Sequence, residues 1–343
     1  MKKLLVIGGG FAGTLIAKKL EKKFNTTLID AKEYFEYTPG ILRTIVEPKH
    51  LKKIQVLHKN YLKKAKILIA GVKEINKKYV IANNKKLRYD YIVICSGSDY
   101  NPPIKEQNAS ITMRAKHLQD SHNKLLKAKD ILLIGGGLVG IELAAEICTN
   151  YKNKNIMLVH SGKHLVQRNN PKTIKYAENF LEKKGVKLLL NERVNKEKSE
   201  IYVTQTGKKI KADMAFLSTG IKPNSEFMKT SFPKALNENN QIKVNDYLQV
   251  ANYKNIFAAG DITSINEEKT AQNAKRQAKV VIKNLLALEQ GEQLKKYKSK
   301  KTLLVISLGK YNGILEYKNI VIYGKIPALL KWLIEKLTMW RYK

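Results

Sequence analysis

The sequence predicts an α/β protein in which one strand–turn–helix unit is built twice, closed by a short amphipathic helix. Three observations carry that reading. An apolar run, a cluster of glycines and a helical pattern follow one another in LLVIGGGFAGTLIAKKL, residues 4–20. The same order returns in ILLIGGGLVGIELAAEI, residues 131–147. The chain ends in YGKIPALLKWLIEKLTMWRYK, residues 323–343, whose apolar side chains recur with helical spacing. An apolar run that meets glycines and then a 3.6-residue period is how a Rossmann-like dinucleotide-binding domain begins, so two such domains are expected.

Composition agrees. The 343 residues suit two domains with sizeable cores, and 43% hydrophobic content is ordinary for a globular chain. The two cysteines, Cys95 and Cys148, are far apart and form neither a CxxC pair nor a metal-ligand cluster, which fits a reduced intracellular compartment. The opening MKKLLVIGGG is not read as a secretory signal, because its apolar run stops at the glycines. No apolar run approaches the ~18 residues of a membrane span. With 64 Lys+Arg against 29 Asp+Glu, the net charge of +35 favours anionic surfaces. The lysines are scattered, however, and no basic patch interleaved with aromatics points to a specific nucleic acid.

In the first turn Gly8, Gly10 and Gly13 match GxGxxG after the apolar strand at residues 4–7. An amphipathic helix from Phe11 to Leu20 follows, and a second apolar strand, TTLID, ends in Asp30, seventeen residues after Gly13. Glycines let the backbone approach a pyrophosphate, the helix N-terminus supplies free N–H groups, and an acid at the strand end can accept from a ribose 2′-OH. The competing reading is a glycine turn with packing duty alone. The second turn repeats the pattern with Gly135, Gly137 and Gly140, but its next strand, NIMLVH, ends in His160 rather than an acid. Two dinucleotides imply redox work, with one site for FAD and the other for NADH or NADPH.

Three further stretches complete a resemblance: YDYIVICSGSDYNPP at residues 89–103, AFLSTGIKPN at 215–224 and NIFAAGDIT at 255–263. In this order they resemble the strand-and-turn segments of the pyridine nucleotide–disulfide oxidoreductase superfamily over nearly the whole chain. The resemblance implies FAD contacts at Gly8, Gly10, Phe11, Ala12, Gly13, Asp30, Ala31, Lys32, Thr38, Ser96, Gly97, Gly260, Asp261 and Ala271. It implies NAD(P)H contacts at Gly135, Gly137, Leu138, Val139, Gly140, His160, Ser161 and Gly220.

The disulfide reductases of that superfamily carry CxxxxC early in the FAD domain, and EYFEYTPGILRT at residues 33–44 has no cysteine. Cys95 and Cys148 read as core residues. EYFEYTPGIL and TAQNAKRQA, residues 270–278, resemble segments of type II NADH:quinone oxidoreductases. That likeness implies a quinone acceptor, Gln272 beside it, and Glu142 near nicotinamide and flavin, where desolvation would raise its pKa for proton transfer. The competing reading of Glu142 is a carboxylate in the first helical turn. LVHSGKH, residues 158–164, looks more like apoptosis-inducing factor and the ferroptosis-suppressing quinone reductases. A DNA-binding flavoprotein and a soluble reductase of ferredoxin or rubredoxin are the alternative functions.

At the C-terminus Ile326, Leu330, Leu333, Leu337 and Trp340 fall on one helical face, widened by Leu329 and Trp332. Lys331, Glu335, Thr338 and Arg341 lie towards the other. This suits a helix lying in an anionic membrane surface, so a peripheral protein on the cytoplasmic face is expected. The rival is a helix packed on the chain itself or on a second subunit, as in a homodimer. The expected organisation is residues 1–110 for the first part of the FAD domain, 111–245 for the NAD(P)H domain, 246–300 for the second FAD part and 301–343 for the cap and membrane helix.

Overall fold

The computed structural model describes residues 1–106, 110–250 and 252–342. The elements that position the site are, in chain order, β1 (Lys3–Ile7), α1 (Phe11–Leu20), β2 (Asn25–Asp30), β3 (Lys66–Ile69), β4 (Tyr91–Ile94), β5 (Asp130–Ile134), α2 (Leu138–Asn150), β6 (Asn155–Val159), β7 (Val186–Leu189), β8 (Met214–Leu217), β9 (Ile256–Ala258), α3 (Ala271–Gln290) and α4 (Lys325–Trp340). One sheet runs β9-β4-β1-β2-β3 and the other β7-β6-β5-β8, and all their pairs are parallel.

Parallel strands are covered on both faces, and the apolar runs obey the pleat. Leu4 and Val6 of β1 join the core beneath Ile16 and Leu20 of α1, while Leu5 and Ile7 join the opposite core with Ile75 and Val80. The duplication extends beyond the glycine turns. Each sheet sends its third strand into a three-stranded antiparallel meander, residues 72–88 in the first unit and 194–211 in the second. The apolar stretch KLLLNERV, residues 187–194, is therefore divided between two strands. It leaves the parallel sheet at Leu189, turns at Asn191 with φ +56°, and enters the meander at Val194.

After α3 the chain forms an antiparallel hairpin pair (Leu304–Ser307, Gly313–Tyr317, Ile320–Tyr323) and then α4. This cap fastens both units. Glu316 accepts from Thr173 Oγ1 at 2.6 Å and from the Asn170 N–H, capping a helix of the second unit. Tyr342 shares a hydrogen bond with Thr14 Oγ1 at 3.1 Å and packs its ring 4.4 Å from that of Phe35 in the first.

Thus α4 is both a packed helix and an exposed apolar one. Thr338 and Met339 are buried, while Ile326, Leu329, Trp332, Leu333, Leu337 and Trp340 face outward. Leu330, expected on the apolar stripe, is half-buried instead. Among the described residues no helix is long and apolar enough to cross a membrane.

Candidate functional site

The two glycine turns use their residues identically. Gly8 and Gly135 adopt φ +95° and +112°, closed to most side chains, and a Cβ on Gly8 would lie 2.3 Å from the Cys95 carbonyl oxygen. A Cβ on Gly13 or Gly140 would strike the carbonyl of Gly8 or Gly135 at 1.9 or 1.8 Å, so these glycines let α1 and α2 sit on their turns. Gly10 and Gly137 meet nothing within 4 Å, leaving room for a ligand at each helix N-terminus. The middle glycines, overlooked in a GxGxxG reading, are also required. A Cβ on Gly9 would lie 2.2 Å from Asp30 Oδ2, and one on Gly136 would lie 2.4 Å from Leu165.

Asp30, at the end of β2, is held from behind. His58 Nε2 stands 2.9 Å from its Oδ2, and Tyr61 OH stands 2.5 Å from His58 Nδ1. The arrangement sets the tautomer: the tyrosine donates to Nδ1 and Nε2–H donates to the carboxylate. His58 is fully buried.

In front of the first turn lies a cleft of about 1280 Å³. Gly8, Gly10, Phe11 and Ala12 line it, as do Asp30, Ala31, Lys32 and Thr38. Ser96, Gly97, Gly260, Asp261, Ala271 and Gln272 line it too, so residues distant in sequence meet at one cavity. Gly13 does not, being spent on helix packing. The Ser96–Gly97 turn is fastened to the second unit, because Ser96 Oγ donates to the Asn224 carbonyl at 2.7 Å and Asn224 Nδ2 donates back to the Ser96 carbonyl at 3.0 Å.

Asp261 follows Gly260, whose N–H donates to Gln277 Oε1 at 2.7 Å, and it accepts from Ser98 Oγ at 3.4 Å. Two cleft lysines feel its charge. Burial draws Lys105 and Lys269 below the ordinary lysine pKa, and Asp261 opposes the shift at both. Helix α3 starts at Ala271 with Thr270 Oγ1 accepting from the Asn273 N–H, so its first turn opens on the cleft. Gln272 Nε2 donates to the Leu303 carbonyl at 2.9 Å.

Of the second unit's glycine turn and the helix α2 after it, Leu138, Val139 and Glu142 reach the cleft. Gly135, Gly137, Gly140, His160, Ser161 and Gly220 are not among its lining residues, and Gly137, Ser161 and Gly220 are exposed. His160 turns back on its own loop, where Nδ1 accepts from the Gly136 N–H at 3.2 Å. Burial lowers its pKa, so the ring is neutral at physiological pH.

Glu142 lies a full turn into α2, past the positions where a helix dipole would hold it. Its Oε1 accepts from the Ser307 N–H at 2.8 Å and forms an ion pair with Lys331 of α4. Glu146, one turn on, accepts from Arg43 at 3.0 Å, yet burial keeps its pKa raised. Glu335 meets His50 at 3.2 Å. These seven residues line a second, water-sized cavity of about 30 Å³ that shares Glu142 and Lys331 with the cleft. The polar side of the C-terminal helix therefore faces the protein and forms a wall of the site. Nothing in the local sequence marked Lys331, Lys105 or His58, whose charged partners lie far along the chain. Both cysteines are buried, and burial pushes their thiols up, Cys148 to about 12 and Cys95 further.

A family model for pyridine nucleotide-disulphide oxidoreductases matches residues 2–278, which include both glycine turns, Asp261 and the start of α3. The chain belongs to the pyridine nucleotide-disulphide oxidoreductase family. It is a flavin-dependent oxidoreductase with FAD and NADH or NADPH as cofactors. Among similar proteins, apoptosis-inducing factor homolog B of Dictyostelium discoideum is 33% identical, over 95% of this chain and 92% of the relative. Ferroptosis suppressor protein 1 of Mus musculus is 30% identical over 91% and 87%. The fold is shared with NDH2 from Plasmodium falciparum, solved in complex with NADH (TM-score 0.85, 16% identity, 99% and 96% covered). It is shared equally with the sulfide:quinone oxidoreductase of Aquifex aeolicus (TM-score 0.84, 20% identity, 100% and 91% covered).

Proposed function

We propose that this protein is a peripheral NAD(P)H:quinone oxidoreductase acting on the cytoplasmic face of a membrane. The observation that carries the reading is the double role of α4. Lys331, Ile334 and Thr338 wall the cleft while the opposite side of the helix presents Leu329, Trp332, Leu333, Leu337 and Trp340 to the outside. An acceptor dissolved in a bilayer would thus have its reaction site directly behind the membrane-facing surface. The sulfide:quinone oxidoreductase that shares the fold is named for the same class of acceptor. Two buried thiols leave no accessible pair for disulfide chemistry.

The first glycine turn and α1 would hold the FAD pyrophosphate, Asp30 a ribose, and Asp261 the ribityl region. When bound, FAD supplies two-electron chemistry between NAD(P)H and the quinone. The amides at the start of α3 favour negative charge at the cleft end they face. Hydride from NAD(P)H brings two electrons and one proton, whereas a quinol needs two protons, so one comes from solvent. Glu142, tied to Ser307 and Lys331 in the wall shared with the small cavity, is the group placed to pass that proton, with Gln272 bordering the quinone. The test is anaerobic stopped flow: NADH should bleach the flavin absorbance and a ubiquinone analogue restore it. Restoration by ferredoxin but by no quinone would refute the acceptor.

His160 bears on the choice of nicotinamide. A strand-end acid repels a 2′-phosphate, and a neutral imidazole engaged with Gly136 does not. NADH and NADPH are therefore expected to differ by less than roughly tenfold in kcat/KM, about 1.4 kcal/mol. His160→Glu should shift preference to NADH. A wild-type preference for NADH beyond about a hundredfold would contradict this assignment.

A further inference from the structure

Of the half-buried lysines that line the cleft, three, Lys105, Lys269 and Lys275, are drawn below the ordinary lysine pKa by burial. Two are answered by the protein. Lys105 donates to the Ser98 carbonyl, Lys269 donates to those of Thr263 and Ile265 at 2.7 and 3.0 Å, and Asp261 favours the charge on both. Lys275 has no such company. Its Nζ stands 5.0 Å over the Phe11 ring, and among the described residues no carboxylate pairs with it. Burial brings its pKa down to about 8, and the charges that act on it, Arg341 and Lys279, are like charges that add to the shift. A desolvated ammonium facing only other cations is unfavourable unless an anion joins it.

Its place indicates the anion. Phe11 is the first residue of α1, directly after the open Gly10, where free backbone N–H groups already favour negative charge. Lys275 stands on the second turn of α3 and borders the same cleft as Gly9, Gly10 and Phe11. We propose that Lys275 is a cofactor-binding residue that supplies the counter-charge to the FAD pyrophosphate. The shared chemistry, a phosphate, could also come from a lipid headgroup, because Arg341 ends the exposed helix α4. The cleft lining favours the pyrophosphate, and the experiment separates the two.

A bound pyrophosphate raises the pKa of Lys275 above its value of about 8 in the free protein. FAD binding therefore takes up a proton between the two values. Affinity is constant at lower pH and falls as pH rises above about 8, by at most tenfold per pH unit. Arginine at this position would stay charged throughout.

The test follows FAD release from the full-length holoprotein by recovery of free-flavin fluorescence between about pH 7 and pH 10, where a lysine of this kind titrates. Wild type should lose FAD progressively above pH 8. Lys275→Arg should hold it with that pH dependence removed. Lys275→Met should bind roughly ten- to a hundredfold more weakly at neutral pH, the worth of one charged hydrogen bond, and without the pH dependence. If Lys275→Met fails to fold, the Lys275→Arg profile still decides. A wild-type profile retained in Lys275→Arg or Lys275→Met overturns the proposal. So does a Lys275→Met protein that holds FAD normally but binds vesicles of anionic lipid less well than wild type, since the phosphate would then be the lipid's. The inference rests on FAD occupying this cleft. A wild-type protein isolated without flavin would remove that premise, whereas lysine-independent FAD binding would overturn only the role of Lys275.

Discussion

Asp261→Ala should purify colourless or nearly so. The proposed role of Asp261 is to accept hydrogen bonds from the ribityl region, and each charge-assisted bond is worth about 1.5–3 kcal/mol. Loss of two such bonds would weaken FAD by roughly two to four orders of magnitude. A second effect has the same direction. Lys105 and Lys269 are both drawn down by burial and both supported by the Asp261 charge, so its removal leaves desolvated ammonium groups beside the cofactor cavity. Asp261→Asn keeps the shape and one acceptor and should lie between the two. Flavin content by absorbance after gel filtration is the readout, with circular dichroism to establish that the variant is folded. A fully yellow, active Asp261→Ala protein would withdraw the residue from the FAD site.

Local pattern was enough for the two parallel sheets, because a buried parallel strand is a short apolar run and the leading run of each sheet ends in a glycine turn that only one geometry satisfies. The glycine turn and the strand end marked Gly10 and Asp30, the family resemblance added Ser96 and Asp261, and all four line one cavity. What it missed depends on tertiary meetings. His58 serves Asp30 from 28 residues away, and Lys331 reaches Glu142 across 189. Neither distance has a periodic signature. His160 appeared to be a strand-end ligand but is turned under the loop by an acceptor bond to Gly136. The amphipathic pattern of α4 was legible, but which of its faces meets the protein was not. Periodicity reports that two faces differ, not which one meets the protein, and here the ion pair to Glu142 and the hydrogen bond to His50 draw the polar face inward.

That inversion sets what α4 can offer a membrane. Five cations lie in or beside α4: Lys325, Lys331, Lys336, Arg341 and Lys343. Lys331 is spent on Glu142, and Lys343 lies outside the described residues. The remaining three are worth about 1 kcal/mol each at most, and salt screens them. The outer face offers Ile326, Leu329, Trp332, Leu333, Leu337 and Trp340, with Ile320, Ile322 and Tyr323 of the hairpin alongside in sequence. Each such side chain gains about 1.5–3 kcal/mol if fully buried, and an interface buries it in part. The apolar contribution should therefore dominate. Molar salt should release only part of the protein from anionic liposomes, and detergent the rest. Deleting residues 327–343 would remove a wall of the cleft and the buried Met339 and Tyr342, so loss of function there would be ambiguous. Leu333→Glu with Leu337→Glu changes the outer face alone. That variant should keep its FAD and its turnover with a water-soluble quinone while losing liposome sedimentation and at least tenfold of its turnover with a bilayer-embedded one. Undiminished sedimentation would show that this face does not meet the membrane, and a parallel loss of both turnovers would place the two leucines in the fold of the cleft instead.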